Sequence, residues 1–182
     1  MGYKKRIWMP DTHYHVLNRG IRKEPLFKRN EDYEYFLSLL QKAHSKYSFY
    51  LCSYCLMKNH YHLHIFSEDN SIPRIMEYIN KYYARYFNHQ YNYKGRVFEN
   101  RYTALPVTNE RGKLNLTRYI HFNPIEAKLV KNASLYHWSS AKFYSPKNLD
   151  QLPQYLNIST ILNKFHGTEI NQKQQFIDWC NK

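Results

Sequence analysis

The chain has 182 residues and carries 27 Lys and Arg against 14 Asp and Glu, a formal net charge of +13. That length suffices for a core without disulfide or metal staples, and the cationic excess favours polyanionic partners, nucleic acid first among them. No apolar run reaches the length of a membrane span, and the basic residues 1–10 are not followed by the apolar stretch of a secretory signal, so neither a membrane partner nor export is expected.

Residues 12–18 alternate His, Tyr, His, Val and Leu and read as a first strand, closed by the turn Asn18-Arg19-Gly20. A basic loop follows, with Arg22, Lys23, Lys28 and Arg29. Asn30 then offers a helix N-cap, and Tyr33, Phe36, Leu37, Leu40, Ala43, His44 and Tyr47 recur at helical spacing. Residues 49–57 are apolar on both faces and read as a central strand, joined through Lys58-Asn59 to a strand over 59–66. Cys52 and Cys55 lie on that central strand, where regular alternation puts them on opposite sides. Three cysteines form no disulfide framework, which fits a reducing cytoplasm.

Ser71 and Pro73 open a second helix with the apolar stripe Ile72, Ile75, Met76, Ile79, Tyr82, Tyr83, Tyr86 and Phe87. Its other face carries Arg74, Lys81, Arg85 and Asn88. Residues 97–107 read as a strand pair or one bent strand around Arg101-Tyr102. Asn109 and Glu110 start a third helix that Pro124 should end at about Asn123. This order predicts an α+β fold: a ferredoxin-like antiparallel sheet with two helices on one face, a third helix near the other, and a small C-terminal helical tail. Residues 1–145 would form the main domain, and 146–182 a linker and short helical extension.

The strand Asn59-His60-Tyr61-His62-Leu63-His64-Ile65-Phe66 holds the densest chemistry. The period of two puts three imidazoles on one face and Tyr61, Leu63 and Ile65 on the other, and His60 and His62, about 7 Å apart, can converge on one ion. Histidines packed on a half-exposed sheet that bind nothing would show the same pattern.

Ordered blocks then resemble one family. They are Tyr14-His15-Val16-Leu17-Asn18-Arg19-Gly20 with Pro25-Leu26-Phe27; Leu56-Met57-Lys58-Asn59-His60-Tyr61-His62; and Tyr83-Ala84-Arg85-Tyr86-Phe87-Asn88. After them come Gly95-Arg96-Val97-Phe98-Glu99-Asn100-Arg101-Tyr102, Arg118-Tyr119-Ile120-His121-Phe122-Asn123-Pro124, and Trp138-Ser139-Ser140. Over residues 12–145 the chain resembles the REP-associated tyrosine transposases, single-tyrosine enzymes with an HUH metal motif. It departs from their pattern at Lys58, where proline is common, and at Glu126 and Lys128, where Arg and Gly are frequent.

The resemblance implies that Tyr119 is a nucleophile and that His60, His62 and Asn123 hold a divalent ion. Two imidazoles and an amide oxygen suit Mg²⁺ or Mn²⁺ better than zinc. His64, which the motif does not require, reads as an accessory group: a DNA contact or a packed side chain. The implied activity is cleavage and rejoining of single-stranded, hairpin-forming DNA through a 5′-phosphotyrosine, with Arg19, Arg22, Lys23, Lys81, Arg85, Arg96 and Arg101 as phosphate contacts. Two other functions are open: a non-catalytic DNA-binding protein, and a metal-dependent phosphodiesterase using water. Monomer and homodimer are both compatible with the sequence.

Overall fold

The computed structural model describes residues 8–181, which leaves most of the basic stretch 1–10 outside the described residues. In chain order the main elements are β1 (Thr12–Arg19), α1 (Asn30–Lys46), β2 (Tyr50–Met57), β3 (His60–Ser67), α2 (Ile72–Gln90), β4 (Thr103–Val107), α3 (Glu110–Glu126), α4 (Ser159–Leu162) and α5 (Glu169–Cys180). The strands form one antiparallel sheet in the order β2-β3-β1-β4. This is the ferredoxin-like arrangement expected from the order of elements.

One sheet face is an apolar, aromatic layer. Tyr14 and Val16 of β1 and Tyr61, Leu63 and Ile65 of β3 are buried there with Phe36 and Leu40 of α1 and Ile75, Ile79 and Tyr83 of α2. The rings of Phe36 and Tyr61 lie 4.9 Å apart, and the phenols remain satisfied: Tyr61 donates to Asn80 Oδ1 (2.8 Å) and Tyr83 to the Leu26 carbonyl (2.6 Å). α1 begins at Asn30, but Arg29 rather than Asn30 occupies the cap position. The reason is Asp32, whose buried carboxylate reaches back to accept from the N–H groups of Lys28 (2.7 Å) and Arg29 (3.0 Å) and from the hydroxyls of Tyr86 (2.9 Å) and Tyr91 (2.6 Å). A carboxylate is favoured at this end of a helix.

The opposite face carries the imidazoles, and α3 lies across it. Leu116 and Ile120 pack on Cys55 and Met57, while Asn109 caps the helix by accepting from Gly112 N–H (2.7 Å). The helix does not stop at Asn123. Pro124 sits in the last turn, where it forfeits only its own N–H bond, its ring is buried, and Ala127 N–H still reaches Asn123 O at 3.0 Å. Just beyond, Lys128 takes a left-handed φ of 57°, a conformation that suits the glycine frequent there in the resembling family.

Two other expectations change. Residues 97–102 form no strand: Phe98 makes an isolated bridge to Gly20, and Ile21 N–H and Glu99 N–H bond to Val97 O (2.9 Å) and Arg19 O (3.0 Å). This segment therefore pairs with the end of β1 and the turn after it, and only 103–107 joins the sheet. Nor do Cys52 and Cys55 face opposite sides. A β-bulge between Leu51 and Ser53 breaks the alternation of β2, so Cys52 Sγ reaches His13 Nδ1 (3.7 Å) on the imidazole face, where Cys55 packs on α3.

The outer edge of β2 is covered from later in the chain. Leu56 N–H bonds to Trp138 O (2.9 Å), Tyr54 N–H to Ser140 Oγ (2.8 Å), and Leu51 exchanges bonds with Tyr155 O and Asn157 N–H (both 2.8 Å). Ser140 also meets His121 Nε2 of α3 at 2.9 Å, so one buried hydroxyl ties the sheet edge to the third helix. Beyond residue 145, Tyr155, Leu156, Ile161, Leu162 and Phe176 join the apolar core, and Arg118 Nε of α3 donates to Cys180 O at 2.6 Å. Replacing Ser140 with Ala leaves Tyr54 N–H and His121 without that partner, and each buried orphan costs about 1–3 kcal/mol. A Ser140→Ala variant is expected to unfold at clearly lower urea, with an unchanged m-value.

Candidate active site

β3 delivers its imidazoles at graded depth: His60 is half-buried, His62 is 4% exposed and His64 is fully buried. In each of the first two rings Nδ1 is already engaged. His60 Nδ1 meets Asn59 Oδ1 at 2.7 Å, and His62 Nδ1 meets His15 Nε2 of β1 at 2.9 Å. The Nε2 atoms are thus the nitrogens left for a ligand, on rings 4.9 Å apart.

α3 brings two more residues to the same place. Asn123 lies close enough to His60 and His62 to act on the titration of both, and its Nδ2 donates to Tyr119 O at 2.8 Å. The amide nitrogen is thereby committed to its own helix. One turn earlier, Tyr119 stands with its ring edge-on to His62 (5.5 Å) and His15 (5.7 Å), and it is 44% exposed. Residues at i and i+4 share a helix face, which is why one helix supplies both groups. His60, His62 and Asn123 would offer two neutral nitrogens and one amide oxygen, a donor set that fits a divalent cation.

His64 is different in kind. Its Nδ1 meets Thr117 Oγ1 and its Nε2 meets His13 Nδ1, both at 3.0 Å, and burial removes any contact with DNA, leaving the packed reading. His15 and His13 were not singled out in the sequence as site residues, although their alternation on β1 mirrors that of β3 and was the available signal.

The predicted cations group unevenly. Arg19 lies across from His60 in the β1–β3 register and pairs with Glu99, to whose carbonyl Arg96 also donates. Lys81, Arg96 and Arg101 line a cavity of about 560 Å³ together with Asn18, Asn80 and Phe98. Arg22 and Lys23 are exposed in a 3-10 turn beside this end of the sheet, both with positive φ. Arg85, exposed on α2 over the Tyr82 ring, does not line that cavity.

Burial sets the protonation of the imidazoles. It lowers His15 to about 4; His62 falls to about 3, through burial first and then the neighbouring His60 and His15. His60 is lowered by burial too, against the opposing influence of neighbouring Asn123. His121, enclosed beside Ser140, is lowered to about 3 by burial alone. Such groups bind protons more readily in the unfolded chain, so the stability they confer is complete above the unfolded value of about 6.5 and is lost as pH falls toward 3. For His62 and His121 the loss is about 2 kcal/mol each by pH 5. Metal-free protein is expected to show a thermal midpoint that is flat from pH 8 to 7 and drops steeply between pH 6 and 4.

Comparison with known proteins bears on the family and the fold. The family model described as "Transposase IS200 like" matches residues 9–123. A solved structure of a REP-associated tyrosine transposase bound to a REP hairpin superposes with a TM-score of 0.67 at 17% identity, covering 87% of this chain and 93% of that one. A putative transposase from Deinococcus radiodurans aligns with a TM-score of 0.45 at 16% identity, over 65% of this chain and 95% of that one. Among curated proteins, none matches the sequence. The matched segment runs from β1 through Asn123 and takes in His60, His62 and Tyr119; by that match the chain belongs to the IS200-like transposase family.

Proposed function

We propose that the protein cleaves and rejoins single-stranded, hairpin-forming DNA in the manner of a REP-associated tyrosine transposase, with Tyr119 as nucleophile. The observation that carries this reading is the placement of an exposed phenol edge-on to His62, on the helix that carries Asn123 one turn later. The Tyr119 oxygen bonds to the scissile phosphorus, the bond from phosphorus to the 3′ oxygen breaks, and the phenolic proton ends on the released 3′ hydroxyl. The phosphate stays on the 5′ side as a phosphotyrosine, which keeps the bond energy for rejoining.

His60, His62 and Asn123 would hold Mg²⁺ or Mn²⁺. Such an ion draws charge from the phosphate oxygens and favours the phenolate of a group whose ordinary pKa is near 10. His15, through its contact with His62 Nδ1, holds that ring in the tautomer that leaves Nε2 as acceptor. Arg19, Arg22, Lys23, Lys81, Arg85, Arg96 and Arg101 supply phosphate contacts, which position the strand without reading its sequence. The solved relative bound to a REP hairpin supports a folded DNA substrate. Residues 1–145 act as the catalytic part and 146–182 as a brace on it. Three free, buried cysteines suit a cytoplasmic, DNA-associated location, and no described helix is long and apolar enough to cross a membrane.

A hairpin oligonucleotide labelled at its 3′ end, downstream of the cleavage point, and incubated with Mn²⁺ is expected to yield a labelled covalent protein–DNA adduct on a denaturing gel, and Tyr119→Phe is expected to abolish it. Cleavage that persists in Tyr119→Phe would instead indicate water as nucleophile; binding of hairpins without cleavage by the wild-type chain would indicate a binding module. His15→Gln is expected to weaken Mn²⁺ affinity by about 10- to 100-fold, as loss of an outer-shell partner does, with the fold intact by circular dichroism.

A further inference from the structure

A second group of ligand atoms lies deeper under α3, and the proposed DNA chemistry makes no use of it. His13, Cys52 and His64 are all buried, and one ligand atom from each lies within 4.8 Å of the other two. Among the described residues this is the one group of three His, Cys, Asp or Glu side chains so placed. It belongs to a different part of the sheet from His60 and His62: His13 faces Phe66 in the β1–β3 register, and His64 is one alternation beyond His62, about 7 Å along the strand.

We propose that His13, Cys52 and His64 form a buried structural site for a thiolate-accepting divalent ion of the zinc type. The two separations made by His13 are close to a tetrahedral edge, and the third is within 4.8 Å. Zn–N bonds of about 2.0–2.1 Å and a Zn–S bond of about 2.3 Å put two ligand nitrogens about 3.3 Å apart and a nitrogen and sulfur about 3.5 Å apart. The structure has His13 Nδ1 and His64 Nε2 at 3.0 Å, and His13 Nδ1 and Cys52 Sγ at 3.7 Å. The donor set is soft, two imidazoles and a thiol with no carboxylate, which selects against Mg²⁺ and Mn²⁺ and for zinc.

The surroundings also resemble those of a metal-bound histidine. His64 Nδ1 meets Thr117 Oγ1 at 3.0 Å, so a proton held there leaves Nε2 as the lone pair facing the cluster, and Ser53 Oγ backs Thr117 at 3.5 Å. Cys52 is brought to this point by the bulge in β2. Leu51 and Tyr54, on either side of Cys52 and Ser53, pair with Ile65 and Leu63 of the apolar face. Binding is balanced by protons: the Cys52 thiol releases one to solvent, and the proton of His13 moves from Nδ1 to Nε2, leaving Nδ1 as donor. Water takes the fourth position. Lys113, whose charge is felt at His13 and His64, opposes a cation there, and thiolate formation offsets part of that opposition. Because Thr117 lies two residues before Tyr119 on α3, an ion at this site would fix β1, β2 and β3 beneath the helix that carries the phenol.

Cobalt distinguishes the two sites, because only this one includes sulfur. In a His60→Ala/His62→Ala background, Co²⁺ titration is expected to reach about one equivalent per chain with a near-ultraviolet thiolate-to-cobalt charge-transfer band, displaced by Zn²⁺. The band should vanish in the same background with Cys52→Ser, and equally with His13→Gln, a variant that keeps the sulfur. Circular dichroism confirms that the variant scored is folded. Absence of the band in the folded background protein, or its persistence in folded Cys52→Ser or His13→Gln, would overturn the proposal.

Discussion

Imidazoles buried between a sheet and a helix must be neutral and must each find a partner, and that requirement organises the functional half of this molecule. An unpaired ring in such an interface costs far more than a paired one gains. The pairs are accordingly complete along the row: His60 with Asn59, His62 with His15, His64 with Thr117 and His13, and His121 with Ser140. Each bond also fixes a ring orientation. The same contacts therefore hold β1 on β3, set α3 on the sheet, and aim the remaining nitrogens of His60 and His62 outward.

The price of a polar interface is met on the other face. Phe36, Tyr61, Leu63, Ile65, Ile79 and Tyr83 are all fully buried in a continuous apolar layer with α1 and α2. Burying a large apolar side chain contributes roughly 1.5–3 kcal/mol. Stability and chemistry are thus divided by the pleat of the sheet: odd positions of β3 hold the fold together, and even positions present ligands. A shift of one residue in register would exchange the two roles, which is why the period of two carries so much information here.

That division explains what the sequence revealed. The alternation of residues 59–66, the stripes of α1 and α2 and the two-residue hairpin at Lys58-Asn59 were legible, because each follows from local periodicity. So was the grouping of His60 and His62 with Tyr119 and Asn123, though only through resemblance to a family, since nothing local says that α3 crosses β3. The bulge that turns Cys52 toward His13 was not legible, because inserting one residue into a ladder leaves no mark in an apolar run. Residues 97–102 misread as a strand for a related reason: Val97, Phe98 and Tyr102 have strand composition, but their partner is the turn after β1. His15 was visible as half of an alternation and lacked only the knowledge that β1 lies beside β3.

The cover on the outer edge of β2 has a consequence for how the protein is made. The strands and the helix that form the sheet and its site are complete by Glu126, but β2 acquires its outer partners only from residues 138–140 and 155–157. At a synthesis rate of about 5–20 residues per second, the nascent chain would carry an open, almost wholly apolar edge strand for on the order of seconds before its own later segment arrives. During that interval the edge is the part of the molecule most exposed to pairing with another chain. Residues 138–157 thus serve the growing polypeptide as a built-in guard against misassembly, a task separate from anything they do for the finished fold.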